Sequence, residues 1–294
     1  MTEKTIYALG FFDGVHAGHA ALLRACRTMA EAQGLPAGVI TFTSHPDTLV
    51  TGVTPALINT PADRERLLRR SVDRVTELSF DKALMDTPWQ TFFAMLLHKY
   101  NAGGLVCGHD FRFGAGGAGT AQTLREACKQ AGIPCTVVPE QKIDGVTVSS
   151  TYIRRLLEQG QMETACRFLG HPHILTGTVV PGRQLGRTMG IPTANFRLPE
   201  GLVSLRHGVY ACQALVEGRT YLAVTNIGTR PTVCGSHVTA EAWLLDFGGD
   251  LYGKTMTLQF YAFLRPEKKF SDLAALQAEI RENARQVQAF FGKK

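Results

Sequence analysis

The sequence predicts an α/β domain followed by an all-β domain, an α/β plus β chain. Two observations carry this. As far as about residue 170, short apolar runs alternate with amphipathic helical stretches, the pattern of a parallel sheet covered by helices. Beyond His171, glycine-rich turns separate runs of alternating polarity, the pattern of an antiparallel barrel or sandwich. The change of texture at His171–Ile174 sets the boundary, giving domains 1–172 and 173–294.

Ile6–Leu9 is the first apolar run and reads as a strand. Helical spacing follows over Ala17–Gln33, through Leu22, Leu23, Cys26, Met29 and Ala30, with Gly34 as the stop signal. Strands at Gly38–Phe42, Val75–Phe80, Gly104–Cys107 and Pro134–Val138 then alternate with helices at Ala62–Arg70, Pro88–Tyr100 and Thr120–Ala131. Two further helices, Thr151–Gln159 and Met162–Leu169, are broken at Gly160. The second half offers strands at Ile174–Val180, Val209–Val216, Tyr221–Ile227, Val238–Phe247 and Thr255–Leu264, closed by a helix over Leu273–Phe290.

Composition narrows the function classes. A chain of 294 residues with 45% hydrophobic content has the apolar mass for two cores. The N-terminus lacks a basic region followed by an apolar run, so no signal peptide is expected. No apolar stretch reaches the ~18 residues of a membrane span. Seven cysteines without a C-x-x-C point to reduced thiols in a cytoplasmic protein. The net charge of +6 could serve nucleic acid, but the basic residues are dispersed rather than massed with aromatics, and small anionic substrates explain the charge equally well. His171 and His173 flank a proline without a neighbouring cysteine or carboxylate cluster and read as loop residues, not a metal site.

The segment GFFDGVHAGH (10–19) carries the most chemistry. It joins the first strand to the first helix through a glycine-containing turn, and His16 and His19 share one helix face. Free N–H groups and the positive dipole end at that helix start favour a phosphate. Two imidazoles beside an anion site suit phosphoryl or nucleotidyl transfer. The plain alternative is a helix start with two satisfied histidines.

Two glycine motifs are decoys. Gly114, Gly116 and Gly119 match G-x-G-x-x-G, but HDFRF separates them from the strand end at Cys107. Gly248, Gly253, Lys254 and Thr255 match the P-loop pattern, but the following residues alternate as a strand would, so a hairpin turn with positive-φ glycines is expected.

Other residues permit two readings each. Ser149, Ser150 and Thr151, with Arg154 one turn on, form either a helix cap or a second anion site. Gly177, Gly182, Gly186 and Gly190 punctuate a stretch holding Arg183 and Arg187, either a mobile cover for phosphates or an ordinary hairpin. Thr193 and Asn195 are hard oxygen donors two apart on an extended segment, either ligands for Mg²⁺ or a turn with internal hydrogen bonds. Glu241 lies in an apolar strand-like run, where a carboxylate is costly unless partnered or functional.

Nine segments in order resemble the bacterial bifunctional riboflavin kinase/FAD synthetase family. They are GFFDGVHAGH (10–19), TFTSHP (41–46), GHDFRFG (108–114), SSTYIR (149–154), GTVVPGRQLGRTMGIPTAN (177–195), GVYA (208–211), NIGTRPT (226–232), AEAWLLDFGGDLYG (240–253) and LRPEKKF (264–270). The resemblance implies a Rossmann-like N-terminal nucleotidyltransferase domain and a C-terminal riboflavin-kinase-type β-barrel with a terminal helix. It implies riboflavin, FMN and ATP as substrates, Mg²⁺ with the ATP, and FMN and FAD as products.

By the same resemblance, His16 and His19 act on the ATP phosphates with Gly10, Asp13 and Gly14 of their turn. The segment Ser149, Ser150, Thr151 and Arg154 also holds phosphates. Asp110, Phe111 and Phe113 help build the nucleotide and flavin pocket. Gly177, Gly182, Arg183, Gly186 and Arg187 cover phosphates in the kinase half. Thr193 and Asn195 hold Mg²⁺–ATP, and Glu241 is the base for the ribityl 5′-hydroxyl; apart from the resemblance, Arg265 is a further candidate for a phosphate or flavin contact. Two positions depart from the family: Phe11 stands where asparagine is usual, and Trp243 where histidine is frequent. Phe11 raises the alternative of a riboflavin kinase with a weakened or silent adenylyltransferase half. A non-catalytic flavin-binding regulator is the other alternative, and the intact His16, His19, Thr193, Asn195 and Glu241 argue against it. The sequence assigns no oligomeric state.

Overall fold

The structure is a computed structural model that describes residues 3–181, 190–232 and 235–292. The first half is a sheet of five parallel strands with helices on its faces. Its elements are β1 (Thr5–Leu9), α1 (Ala17–Gln33), β2 (Ala37–Phe42), α2 (Asp47–Val50), α3 (Pro61–Leu68), β3 (Arg74–Leu78), α4 (Lys82–Met85), α5 (Trp89–His98), β4 (Ala102–Gly108), β5 (Arg112–Phe113), β6 (Gly119–Thr120), α6 (Ala121–Gln130), β7 (Cys135–Val138), β8 (Lys142–Ile143) and β9 (Val146–Thr147). The order across the main sheet is β3-β2-β1-β4-β7, all parallel.

Every residue of β1 is buried, as expected for a central strand covered on both faces. Tyr7 and Leu9 pack with Leu105, Cys107, Phe92, Leu96, Leu124 and Cys128 on one face. On α1 the buried residues are Leu23, Cys26 and Ala30, and Cys26 Sγ donates to the Ile6 carbonyl at 3.3 Å. Gly34 ends α1 in the left-handed region (φ 63°), where its N–H reaches the Ala30 and Glu31 carbonyls.

The second half begins with two helices, α7 (Ser150–Glu158) and α8 (Met162–Leu169). One antiparallel sheet follows: β10 (His173–Thr178), β11 (Ala194–Arg197), β12 (Gly208–Val216), β13 (Arg219–Thr232), β14 (Gly235–Leu244) and β15 (Thr255–Pro266), then α9 (Leu273–Gly292). The strand order is β10-β15-β12-β13-β14-β11, and a bridge between Val180 and Asn195 draws the two edges together towards a barrel. On one face of this sheet, Val209, Ala211, Val224 and Ala262 pack with Ala284 and Val287 of α9.

The chain divides into compact units of Met1–Leu57 with Pro61–Ser150, and Ile58–Thr60 with Thr151–Lys294. This differs from the expected division at 172/173. The physical reason is that α8 packs on β10 and β15, where Cys166 Sγ donates to the Phe260 carbonyl at 3.1 Å. His173 is also not a loop residue: it opens β10 and is 1% exposed, its ring near that of Phe260.

Neither glycine motif forms the nucleotide loop it mimics, but the second is not the expected hairpin turn: β14 pairs with β13 and β11 and β15 with β12 and β10, so the segment links two strands that are not neighbours in the sheet. The glycines at 114, 116 and 119 belong to the β5–β6 hairpin, and a Cβ on Gly114 would strike the Trp89 backbone at 2.5 Å. Thr255 opens strand β15 rather than a helix, and Lys254 pairs with Glu217 at 2.8 Å. Of the glycines in that turn only Gly253 has positive φ (75°), so the expectation of positive φ holds for Gly253 and not for Gly248 or Gly249.

Candidate functional site

In an open parallel sheet, ligands bind beyond the carboxyl ends of the strands where the strand order reverses. Here that point lies between β1 and β4. A cleft of about 390 Å³ opens there, lined by Leu9 and Gly10 after β1 and by Gly108–Phe111 after β4. His16, His19, Ser149 and Ser150 line it as well.

The turn from β1 to α1 is strained. Phe12 (φ 61°), Gly14 (φ 78°) and Val15 (φ 41°) all lie in the left-handed region. For a β-branched residue this is a rare conformation, costing of order 1–3 kcal/mol, and such strain collects at functional sites. The turn ends at His16, which caps α1: its Nδ1 accepts the His19 N–H at 3.2 Å. The two imidazoles stack, with centroids 3.6 Å apart and planes 11° from parallel. Burial, and next the neighbouring His16, hold the His19 pKa well below the usual imidazole value, so His19 is neutral at pH 7. A Cβ on Gly18 would lie 3.1 Å from the His16 ring, which explains the glycine between the histidines.

Asp13 is buried at 3% exposure, and its backbone carbonyl accepts the Ser150 hydroxyl at 3.0 Å. The cleft thus gathers Gly10, His16, His19, Asp110, Phe111, Ser149 and Ser150. Thr151 and Arg154, on α7, group with the second compact unit. Phe113 is a core residue rather than a cleft residue: it is 6% exposed and packs with Phe111, Trp89 and Phe92, because β5 turns its side chain under the sheet. Sequence reasoning missed His109, Glu140 and Gln141 in the cleft wall.

Phe11 has its own partners. The Arg64 guanidinium lies 4.3 Å from its ring centroid, and the His45 ring meets it edge-on at 4.5 Å. Arg64 is 2% exposed and bonds the Phe42 carbonyl (2.7 Å) and Glu77 (3.1 Å).

In the second unit two cavities share Thr193. One, of about 390 Å³, is lined by Thr193, Asn195 and the β14–β15 turn residues Phe247–Tyr252. The other, of about 310 Å³, lies between the sheet and α9, with Glu241, Trp243, Val224 and Asn226 on the sheet side and Leu276 and Ile280 on the helix side. Register places Glu241 directly opposite Asn195 on β11 and Asn226 on β13. Asn195 is 4% exposed and its Nδ2 donates to the Thr193 carbonyl at 3.1 Å, 3.5 Å from Thr193 Oγ1. Thr193 and Asn195 line the same cavity, and their side chains bring a hydroxyl oxygen and a carboxamide oxygen to it. That donor set fits Mg²⁺, which prefers a few hard oxygens plus phosphate oxygens.

Arg265 lines the second cavity but is committed to α9, bonding Asn283 Oδ1 (2.9 Å from Nη2) and Glu279 (2.9 Å). Gly177 sits inside β10 against the Phe196 ring. Gly182, Arg183, Gly186 and Arg187 lie outside the described residues. Sequence reasoning missed Asn226 and the turn residues Phe247–Tyr252, whose placement depends on strand register.

A family model described as FAD synthetase matches residues 1–152, and one described as riboflavin kinase matches 169–291. The chain is 36% identical over 294 residues to a bifunctional riboflavin kinase/FMN adenylyltransferase of Escherichia coli strain K12, covering 99% of this chain and 94% of that protein. A protein of the same description from Listeria monocytogenes is 32% identical over 292 residues, covering 98% and 93%. Among solved structures, a Streptococcus pneumoniae protein named as a macrolide-efflux protein superposes with a TM-score of 0.89 at 30% identity, covering 98% of this chain and 95% of that one. Among the described residues no helix is long and apolar enough to cross a membrane.

Proposed function

The chain belongs to the bifunctional riboflavin kinase/FMN adenylyltransferase family, and we propose the following division of labour among its residues. The enzyme phosphorylates riboflavin with ATP to FMN, then adenylylates FMN with ATP to FAD, releasing pyrophosphate. The first reaction belongs to the half matched at residues 169–291 and the second to the half matched at residues 1–152.

In adenylyl transfer an FMN phosphate oxygen attacks the α-phosphorus of ATP, and the bond to pyrophosphate breaks. The nucleophile is already ionised, so the need is to gather and stabilise negative charge. The stacked His16 and His19 at the α1 N-terminus carry this reading. The helix end offers N–H groups and a positive dipole, and the imidazoles add donors beside it. Ser149 and Ser150 add hydroxyls to the cleft lining, Ser150 beside the turn itself. Asp110 and Phe111 line the flavin end. Phe11 braces the turn through Arg64 and His45, so its departure from asparagine leaves adenylyl transfer in place.

In the kinase half Glu241 accepts the proton of the ribityl 5′-hydroxyl as that oxygen attacks the γ-phosphorus and ADP departs. Thr193 and Asn195 would hold the Mg²⁺ that ATP carries, and that ion would supply neutralisation of phosphate charge. Arg265 acts on the flavin cavity by fixing α9. The protein works in the cytoplasm on these small substrates, without nucleic acid or membrane.

Incubation of the purified protein with riboflavin, ATP and Mg²⁺, with chromatographic separation, tests the reading. FMN and FAD are the expected products. FMN alone contradicts the role given to His16 and His19.

A further inference from the structure

Residues directly opposite in an antiparallel ladder carry their side chains on the same face, with Cβ atoms about 4.5–5.5 Å apart. In the second unit one such row crosses the sheet: Asn195 faces Glu241, Glu241 faces Asn226, Asn226 faces Val209, and Val209 faces Arg265. The chemistry changes along it: Asn195 stands in the cavity beside Thr193, Val209 belongs to the apolar core under α9, and Arg265 at the far end is tied to Asn283 and Glu279.

This polarity orients a flavin. The ring system is large and mostly apolar, so it belongs under α9 with Val224, Trp243, Leu276 and Ile280. The terminal hydroxyl must reach Glu241 and the phosphate beyond it. The ribityl chain therefore runs along the row, and one strand step from Glu241 towards the ring stands Asn226. That step is about 4.8 Å, within the reach of an extended ribityl chain whose terminal hydroxyl is at Glu241. Asn226 lines the same cavity as Glu241, and its carboxamide offers both a donor and an acceptor to a hydroxyl that needs both. Its Nδ2 and the Glu267 carboxylate converge over Gly228, which has no Cβ to obstruct them.

We propose that Asn226 is a specificity-determining residue of the kinase site, hydrogen-bonding a secondary hydroxyl of the ribityl chain while Glu241 takes the terminal one. The inference rests on the assignment of Glu241 as the base. A site built around a substrate hydroxyl discriminates against analogues that lack it, because its polar group is then left unpaired.

The test compares riboflavin with a flavin bearing an N10 ω-hydroxypentyl chain, which keeps the terminal hydroxyl and lacks the secondary ones. Steady-state kinase kinetics are measured on the full-length protein and on Asn226→Ala, with FAD formation from supplied FMN as the control for integrity. The expected result is a fall in kcat/KM for riboflavin of about tenfold with the hydroxypentyl flavin almost unchanged. Asn226→Ser, which keeps a hydroxyl, recovers part of the loss. An equal fall for both flavins, or no change for either, overturns the proposal. Glu241→Gln separates the two claims: it lowers both flavins alike if Glu241 is the base. Sparing of both overturns that assignment, whatever Asn226→Ala does to the ratio between the two flavins.

Discussion

His16 and His19 stack at 3.6 Å because one backbone bond, from the His19 N–H to His16 Nδ1, fixes the first imidazole as the helix cap while helical geometry delivers the second. The cap leaves the remaining N–H groups of the first turn for an anion. Gly18 makes the arrangement possible, since it lies under the His16 ring. Gly18→Ala improves helix propensity by about 1 kcal/mol and yet displaces that ring. The expected outcome is a drop in FAD synthesis from FMN of roughly 10–100-fold, the cost of misplacing a catalytic group, with riboflavin phosphorylation unchanged. Parallel assays of the two half-reactions check this.

Phe11 stands between the Arg64 guanidinium and the His45 ring. Asparagine, the family's usual residue, removes both contacts and leaves an almost fully buried cation without its aromatic face. Phe11→Asn is expected to destabilise the protein by about 1–2 kcal/mol without raising FAD synthesis. Denaturant unfolding followed alongside the adenylyltransferase assay decides it. A gain in FAD synthesis means that Phe11 impairs the site instead of bracing it.

Buried histidines set the acid response. His19 and His173 are both held neutral in the fold, chiefly by burial, with His173 pushed down to about 3. A base whose folded pKa is lowered binds its proton in the unfolded chain first. Stability is therefore full above about pH 6.5 and falls as the pH drops from there towards the folded pKa. The slope is about 1.4 kcal/mol per pH unit for each histidine. His173→Leu should flatten the fall between pH 6.5 and 5, as read by urea titration at each pH. An unchanged slope removes His173 from the account.

The parallel half of the fold was legible because its signals are local. Apolar runs, helical spacing and the stop at Gly34 lie next to one another in the chain, and α1 and α8 have the bounds that their sequences predict. The H-x-G-H turn was legible for the same reason. What was hidden depends on distant partners. The sequence does not say that β14 pairs β13 in the register that sets Glu241 beside Asn226. Nor does it say that α8 packs on β15, which moves the division between compact units to Ser150. His173 reads as a loop residue beside Pro172 until β15 pairs with it through Phe260. Phe113 shares a motif with Asp110, but the short β5 turns it into the core.

The claim that chemistry divides between two separate sites is tested most directly by Glu241→Gln, with FMN formation and FAD formation measured separately on the same preparation. Riboflavin phosphorylation is expected to fall by roughly 10²–10⁴-fold, the usual worth of a general base, while FAD synthesis from supplied FMN proceeds at the wild-type rate. Retained phosphorylation would contradict the role of Glu241, and equal loss of both activities would contradict the division itself.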